Sequence, residues 1–166
     1  MTSAFDDFAT FCAALPPVGS IAGLDLGTKT LGVAVSDPGR TVASPLETIA
    51  RTRFTADVDR LLWLSESRRC AGFVLGLPVN MDGSEGPRAQ ATRAFARNLT
   101  RRTDLPIGFW DERLSTAAVE RLMISFDTSR KKRAEQVDRL AAAYILQGAL
   151  DRLSTIRRNL AAPPLG

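Results

Sequence analysis

Three carboxylates fall where burial is hardest to reconcile with charge. Asp25 interrupts the apolar run Ile21-Ala22-Gly23-Leu24-Asp25-Leu26-Gly27. Glu112 closes the strand-like segment Ile107-Gly108-Phe109-Trp110-Asp111-Glu112, and Asp138 lies inside a helical stretch running from Val137 to Leu146. Buried acids are rare unless they are paired or hold a cation. Two unit charges ~5 Å apart repel by about 3 kcal/mol at an effective dielectric near 20, so three such pairs cost about 10 kcal/mol, comparable to a domain's whole stability. A fold that gathers these acids therefore needs protonation or a cation to hold them. Donor sets made only of oxygen select Mg²⁺ or Mn²⁺.

At 166 residues the chain is long enough for one domain with a real core, and 45% hydrophobic with 24% charged residues is ordinary for a globular protein. No apolar stretch reaches the ~18 residues of a membrane span. The N-terminus lacks the basic start and apolar block of a secretory signal. The expectation is a cytoplasmic protein with no membrane partner. There is no histidine, which removes imidazole bases, Ser-His-Asp triads and His-containing zinc sites. Hydrolysis here must use carboxylates, lysine or metal-bound water. The net charge is +4, and among the basic residues only Lys29, Lys131 and Lys132 are lysine. Arginine forks onto phosphate, which suits nucleic acid, although genome composition would give the same excess. Cys12 and Cys70 stand in no metal-ligand spacing and read as packing residues.

Residues 1–18 read as an extension. Phe5, Phe8 and Phe11 recur at helical spacing before Pro16-Pro17 ends the segment, which predicts a short helix. Ile21–Leu26, Leu31–Ser36 and Thr41–Ile49 then predict an antiparallel meander, with Pro45 placing its third strand at an edge. Phe54, Val58, Leu61 and Leu62 lie at helical spacing. Ala71–Leu77 reads as a buried strand, Pro87–Arg102 as a helix capped near Ser84 or Gly86, Pro106–Glu112 as a fifth strand, and Ser115–Met123 as a helix. A basic loop over residues 129–133 leads to a last helix over about Ala134–Leu153. The expected fold is α/β, a mixed five-stranded sheet of meander plus parallel strands flanked by helices. Residues 19–154 would form the domain and 155–166 a loose tail.

Alternation puts Asp25 on the strand face opposite Leu24 and Leu26. Its flanking glycines leave room for a ligand or another backbone, and the alternative is an Asp capping the adjacent turn. Glu112 ends a strand, where α/β sheets place their sites, or it faces solvent near a helix start. Asp138 shares a helical face with Ala142, Ile145 and Ala149; a salt bridge to Arg133 or Arg139 is the alternative. The loop from Leu77 to Gly86 joins a strand end to a helix start. By spacing it is an ordinary surface loop; beside a site, its backbone N–H groups and Ser84 would hold a phosphate, with Arg88 and Arg93 on the following helix. Arg130, Lys131, Lys132 and Arg133 form either a solvated loop or a grip on a nucleic-acid backbone.

Four motifs occur in order over about residues 20–152. They are Gly23-Leu24-Asp25-Leu26-Gly27-Thr28-Lys29 with Leu31-Gly32-Val33-Ala34-Val35-Ser36-Asp37; Gly76-Leu77-Pro78 with the segment Asn80–Gly86; Asp111-Glu112-Arg113-Leu114-Ser115-Thr116; and Val137-Asp138-Arg139-Leu140-Ala141-Ala142. Together they resemble the YqgF/RuvX family. The resemblance implies an RNase H-like fold and a nuclease related to Holliday-junction resolvases and assigned to 5′ maturation of pre-16S rRNA. It places Asp25, Glu112 and Asp138 at the family's acidic positions. The expected reaction is hydrolysis of a phosphodiester at one or two Mg²⁺ or Mn²⁺ ions held by these three, with Lys29, Arg113 and residues 130–133 positioning the strand. The substrate would be pre-rRNA or branched DNA, and a junction resolvase would need a homodimer to cut symmetrically. The family often has a basic residue where this chain has Thr30, so a substrate contact there is expected to be missing. Two rivals are a phosphotransferase of the actin–hexokinase type, which needs two lobes and a longer chain, and a non-catalytic nucleic-acid-binding factor.

Overall fold

The structure, a computed structural model, describes residues 4–114 and 130–161, with side chains described for residues 4–113 and 138–161. Strand β1 (Ala4–Phe5) and helix α1 (Phe8–Ala14) come first. Asp7 caps α1 by accepting from the Thr10 N–H at 3.3 Å. The helix expected from the phenylalanine spacing thus forms from Phe8 onward, while Phe5 lies in a strand.

The meander follows as β2 (Ser20–Leu26), β3 (Thr30–Ser36) and β4 (Ala43–Ala50). Helix α2 (Phe54–Ser67), strand β5 (Cys70–Leu77), helix α3 (Pro87–Thr100) and strand β6 (Ile107–Asp111) complete the alternating part. Gly86 caps α3, and Pro87 opens it with its preset φ. Glu112–Leu114 form a single 3₁₀ turn. The final helix, α4, covers Arg130–Ala161. The helix expected over Ser115–Met123 lies outside the described residues.

The sheet has six strands in the order β1-β6-β5-β2-β3-β4. The sequence predicted five; the sixth is β1, which pairs in parallel with the open edge of β6 through Ala4–Ile107 and Phe5–Gly108. Two residues are too few to show a strand period. β4 is the far edge, as Pro45 required, and its pairing with β3 shifts register between Val33 and Ala34, where Pro45 sits. β2, β5 and β6 run parallel, so their carboxyl ends meet at one rim of the sheet.

One face buries Leu24, Leu31, Val33, Phe73 and Leu75 against Leu61 of α2 and Leu99 of α3. The other buries Ile21, Ala34 and Val74 against Phe11 of α1 and Ala142, Ile145 and Leu146 of α4. Each such aliphatic side chain contributes roughly 1.5–3 kcal/mol when fully buried. The last helix differs from expectation at both ends. Residues 130–133, expected as a loop, are helical, and the helix passes Leu153 to reach Ala161. Arg and Lys are good helix formers, and neither Gly nor Pro interrupts the basic run, so charge alone does not break the helix.

Candidate metal centre at the carboxyl rim of the sheet

α4 crosses the sheet directly over β2 and β3, and absent side chains let it approach. Gly32, the register partner of Asp25, lies under the Asp138 carbonyl, so a β-carbon there would collide with backbone. Gly76 on β5 plays the same part beneath Glu112: a β-carbon would stand 2.8 Å from the Glu112 Oε1. Of the glycines that flank Asp25, Gly23 leaves room that α4 fills, since a β-carbon there would stand 2.9 Å from the Ala142 carbonyl oxygen, whereas a β-carbon on Gly27 would meet Thr30. This packing carries Asp138 to the strand that bears Asp25.

Asp25 feels both of the other acids. Asp25 and Glu112 share a side-chain hydrogen bond. Burial pushes the Asp25 carboxyl up, the Glu112 bond pulls it down, and the Asp138 charge pushes it up again. Glu112 is pushed up to about 7, first by burial, then by the Asp25 charge and the shared bond. Burial and mutual repulsion therefore favour one proton shared between the two carboxyls. Asp138 is held separately: the Thr30 hydroxyl donates to its Oδ2 at 2.8 Å. Among the described residues, no group of three acids or cysteines already stands as a ready metal cage. The Asp25–Glu112 bond and the Thr30–Asp138 bond engage carboxylate oxygens of all three acids.

The basic residues divide. Arg88, in the first turn of α3, lowers the carboxyl pKa of both Asp25 and Glu112 and so stands by the pair. Lys29 is exposed in the β2–β3 turn. Arg113 forks onto Asp111 and also donates to the carbonyls of Asn80 (3.4 Å) and Met81 (3.3 Å). It thereby ties the 80–84 turn to the rim. Ser84 lies in that turn, where its N–H donates to the Asp82 carboxylate at 2.9 Å and its hydroxyl accepts from Asn80 at 3.0 Å. The side chains of Arg130, Lys131, Lys132 and Arg133 lie outside those described.

Two contacts around the acids are not evident from the sequence. Thr30 meets Asp138 across a separation that no local pattern reveals. Arg51 follows β4 and pins the β2–β3 turn, its guanidinium donating to the Gly27 carbonyl at 2.6 Å and its N–H to that of Lys29 at 2.9 Å.

Residues 19–152 match the family model described as RuvX, Holliday junction resolvase. A protein of Paracoccus denitrificans is 65% identical over 154 residues, covering 93% of this chain and 98% of its own. One of Rhodobacter capsulatus is 66% identical, covering 92% of this chain and 94% of its own. Both carry the name "Putative pre-16S rRNA nuclease". Among solved structures, Thermus thermophilus RuvC in complex with a Holliday junction substrate matches at TM-score 0.51 and 18% identity, covering 82% of this chain and 97% of that one. The yeast mitochondrial Holliday junction resolvase matches at TM-score 0.52 and 11% identity, covering 91% of this chain and 86% of that one. At these identities the likeness is one of fold, and it agrees with the RNase H-like architecture expected from the motifs.

Proposed function

The chain belongs to the RuvX family of nucleases, and from that premise we propose that it cuts the phosphodiester backbone of precursor 16S rRNA with Asp25, Glu112 and Asp138 as its metal-binding and catalytic acids. The observation that carries this reading is the Asp25–Glu112 pair, bonded through one proton and facing the charge of Asp138. The donor set fits one or two Mg²⁺ or Mn²⁺ ions, because it is hard oxygen throughout and, among the described residues, Arg88 alone offsets the charge of the Asp25–Glu112 pair. Divalent ions bound there would supply Lewis acidity toward the phosphate and a lowered pKa for water.

The chain's own residues do the rest. The pair gives up its shared proton to solvent, which frees oxygens on both members. Asp138 is kept oriented by Thr30. Arg88 offers positive charge at the same rim, suited to a scissile phosphate. Lys29, on the exposed turn, and the basic residues 130–133 supply further positive charge for the nucleic-acid backbone. Arg113 acts through the 80–84 turn that it holds.

The test is cleavage of pre-16S rRNA fragments and of four-way DNA junctions in parallel, with Mg²⁺ or Mn²⁺. Asp25→Asn should lower turnover at least ~100-fold while leaving the chain folded and at least as stable to heat, since it removes a charge disfavoured by burial. Cleavage of the junction alone would assign the activity to DNA. Equal cleavage by the variant would refute the site, and binding without turnover would favour a non-catalytic role.

A further inference from the structure

A second charged site lies at the opposite end of β3. The tight turn between β3 and β4 places Arg40 in the left-handed region, φ 60°, where a non-glycine residue is uncommon. Its side chain runs inward and is only 4% exposed. The Nε donates to the Gly19 carbonyl at 2.7 Å and Nη2 to that of Pro16 at 2.6 Å. Nη1 is buried and, among the described residues, donates to nothing. A buried donor left without an acceptor is destabilising.

Arg40 also lines a cavity of about 330 Å³ with Ser154, Arg157 and Arg158 of α4. Burial pushes the Arg40 guanidinium down, and the like charge of Arg157 pushes it further the same way. One carboxylate, Asp151, shares the lining, and it already accepts from Gln147 at 3.0 Å. Three arginines thus share the lining with one engaged acid, and of the two exposed ones Arg157 donates to the Pro17 carbonyl at 3.5 Å. An anion with several acceptor oxygens, the chemistry that arginine forks recognise, would complement this lining. Ser154 lies 16 residues beyond Asp138, roughly 24 Å along the helix at ~1.5 Å per residue, so this pocket is separate from the carboxylate rim.

We propose that this cavity binds a phosphate group, held by Arg40, Arg157 and Arg158 with the Ser154 hydroxyl. The phosphate is either a backbone phosphate of a long nucleic acid lying along α4 or free phosphate. The site stands whether or not the carboxylates cut.

Thermal unfolding of the full chain with added inorganic phosphate, at constant ionic strength, tests it. The variant is Arg157→Gln with Arg158→Gln, since both side chains are exposed and Arg40 supports the turn. A charge-matched control carries Arg97→Gln with Arg101→Gln. Phosphate should raise the Tm of the native chain and of the control in a saturable way, and this rise should be lost in the variant. No rise in the native chain, or an equal rise in the variant, overturns the proposal. A short and a long RNA then distinguish the sources. Weaker binding of the long RNA alone by the variant, beyond any effect in the control, identifies a backbone phosphate. Unchanged RNA binding alongside the lost phosphate shift identifies free phosphate.

Discussion

One hydroxyl decides how Asp138 presents itself. Thr30 and Asp138 lie 108 positions apart, yet their side chains meet at 2.8 Å. Partners that orient metal-binding carboxylates typically change metal affinity or activity 10–100-fold when removed. Thr30→Val keeps the shape of the side chain and removes the donor, so Mn²⁺ affinity and cleavage should each fall about 10-fold or more, with Thr30→Ser restoring both. Unchanged Mn²⁺ affinity in the valine variant, measured by calorimetry, would show that the bond orients nothing. The acids themselves were legible in the sequence because a charge inside an apolar period stands out. Thr30 was not, because a threonine opening a strand is ordinary, and only its comparison with a related pattern marked it.

The cysteines give the pH dependence at this scale. Burial pushes both thiols up from about 9 to about 11, and both are free. Above pH 9 the unfolded chain sheds these protons while the folded chain retains them. The unfolded state then binds fewer protons, so stability falls as pH rises. The contribution should be constant below pH 9 and decline between pH 9 and pH 11. Urea midpoints across that window should fall less steeply for a Cys12→Ala/Cys70→Ala variant than for the native chain, and parallel slopes would contradict the assignment.

At the scale of elements, the approach of α4 to the sheet creates the site. Gly32 touches Asp138 through the helix backbone, which cannot rotate aside as a side chain can. Gly32→Ala should therefore move the helix and destabilise the fold by about 1–3 kcal/mol, with cleavage falling further than stability alone explains. Full activity in that variant, measured under conditions where it is folded, would contradict this dependence. The strands of the meander and the helix on Pro87 were readable because period, glycine and proline agree there. The start of α4 was not, since Arg130-Lys131-Lys132-Arg133 has helical propensity but no apolar face to reveal a period. Strand β1 was equally hidden, because its role depends on the free edge of β6 and not on its own residues.

For the molecule as a whole, parallel strands β2, β5 and β6 deliver Asp25, the Gly76–Leu77 strand end and Glu112 to one rim, and α4 brings Asp138 to it. Among the described residues no helix is long and apolar enough to cross a membrane. The rim and the arginine-lined cavity lie toward opposite ends of α4 on a chain of net charge +4, an arrangement suited to a long polyanion. The proposed function requires the three acids to hold cations in common. Anomalous diffraction from crystals soaked in Mn²⁺ tests this directly. The account predicts Mn²⁺ coordinated jointly by Asp25, Glu112 and Asp138, with the Asp25–Glu112 hydrogen bond broken. Saturating Mn²⁺ that binds elsewhere and leaves that bond intact would contradict it.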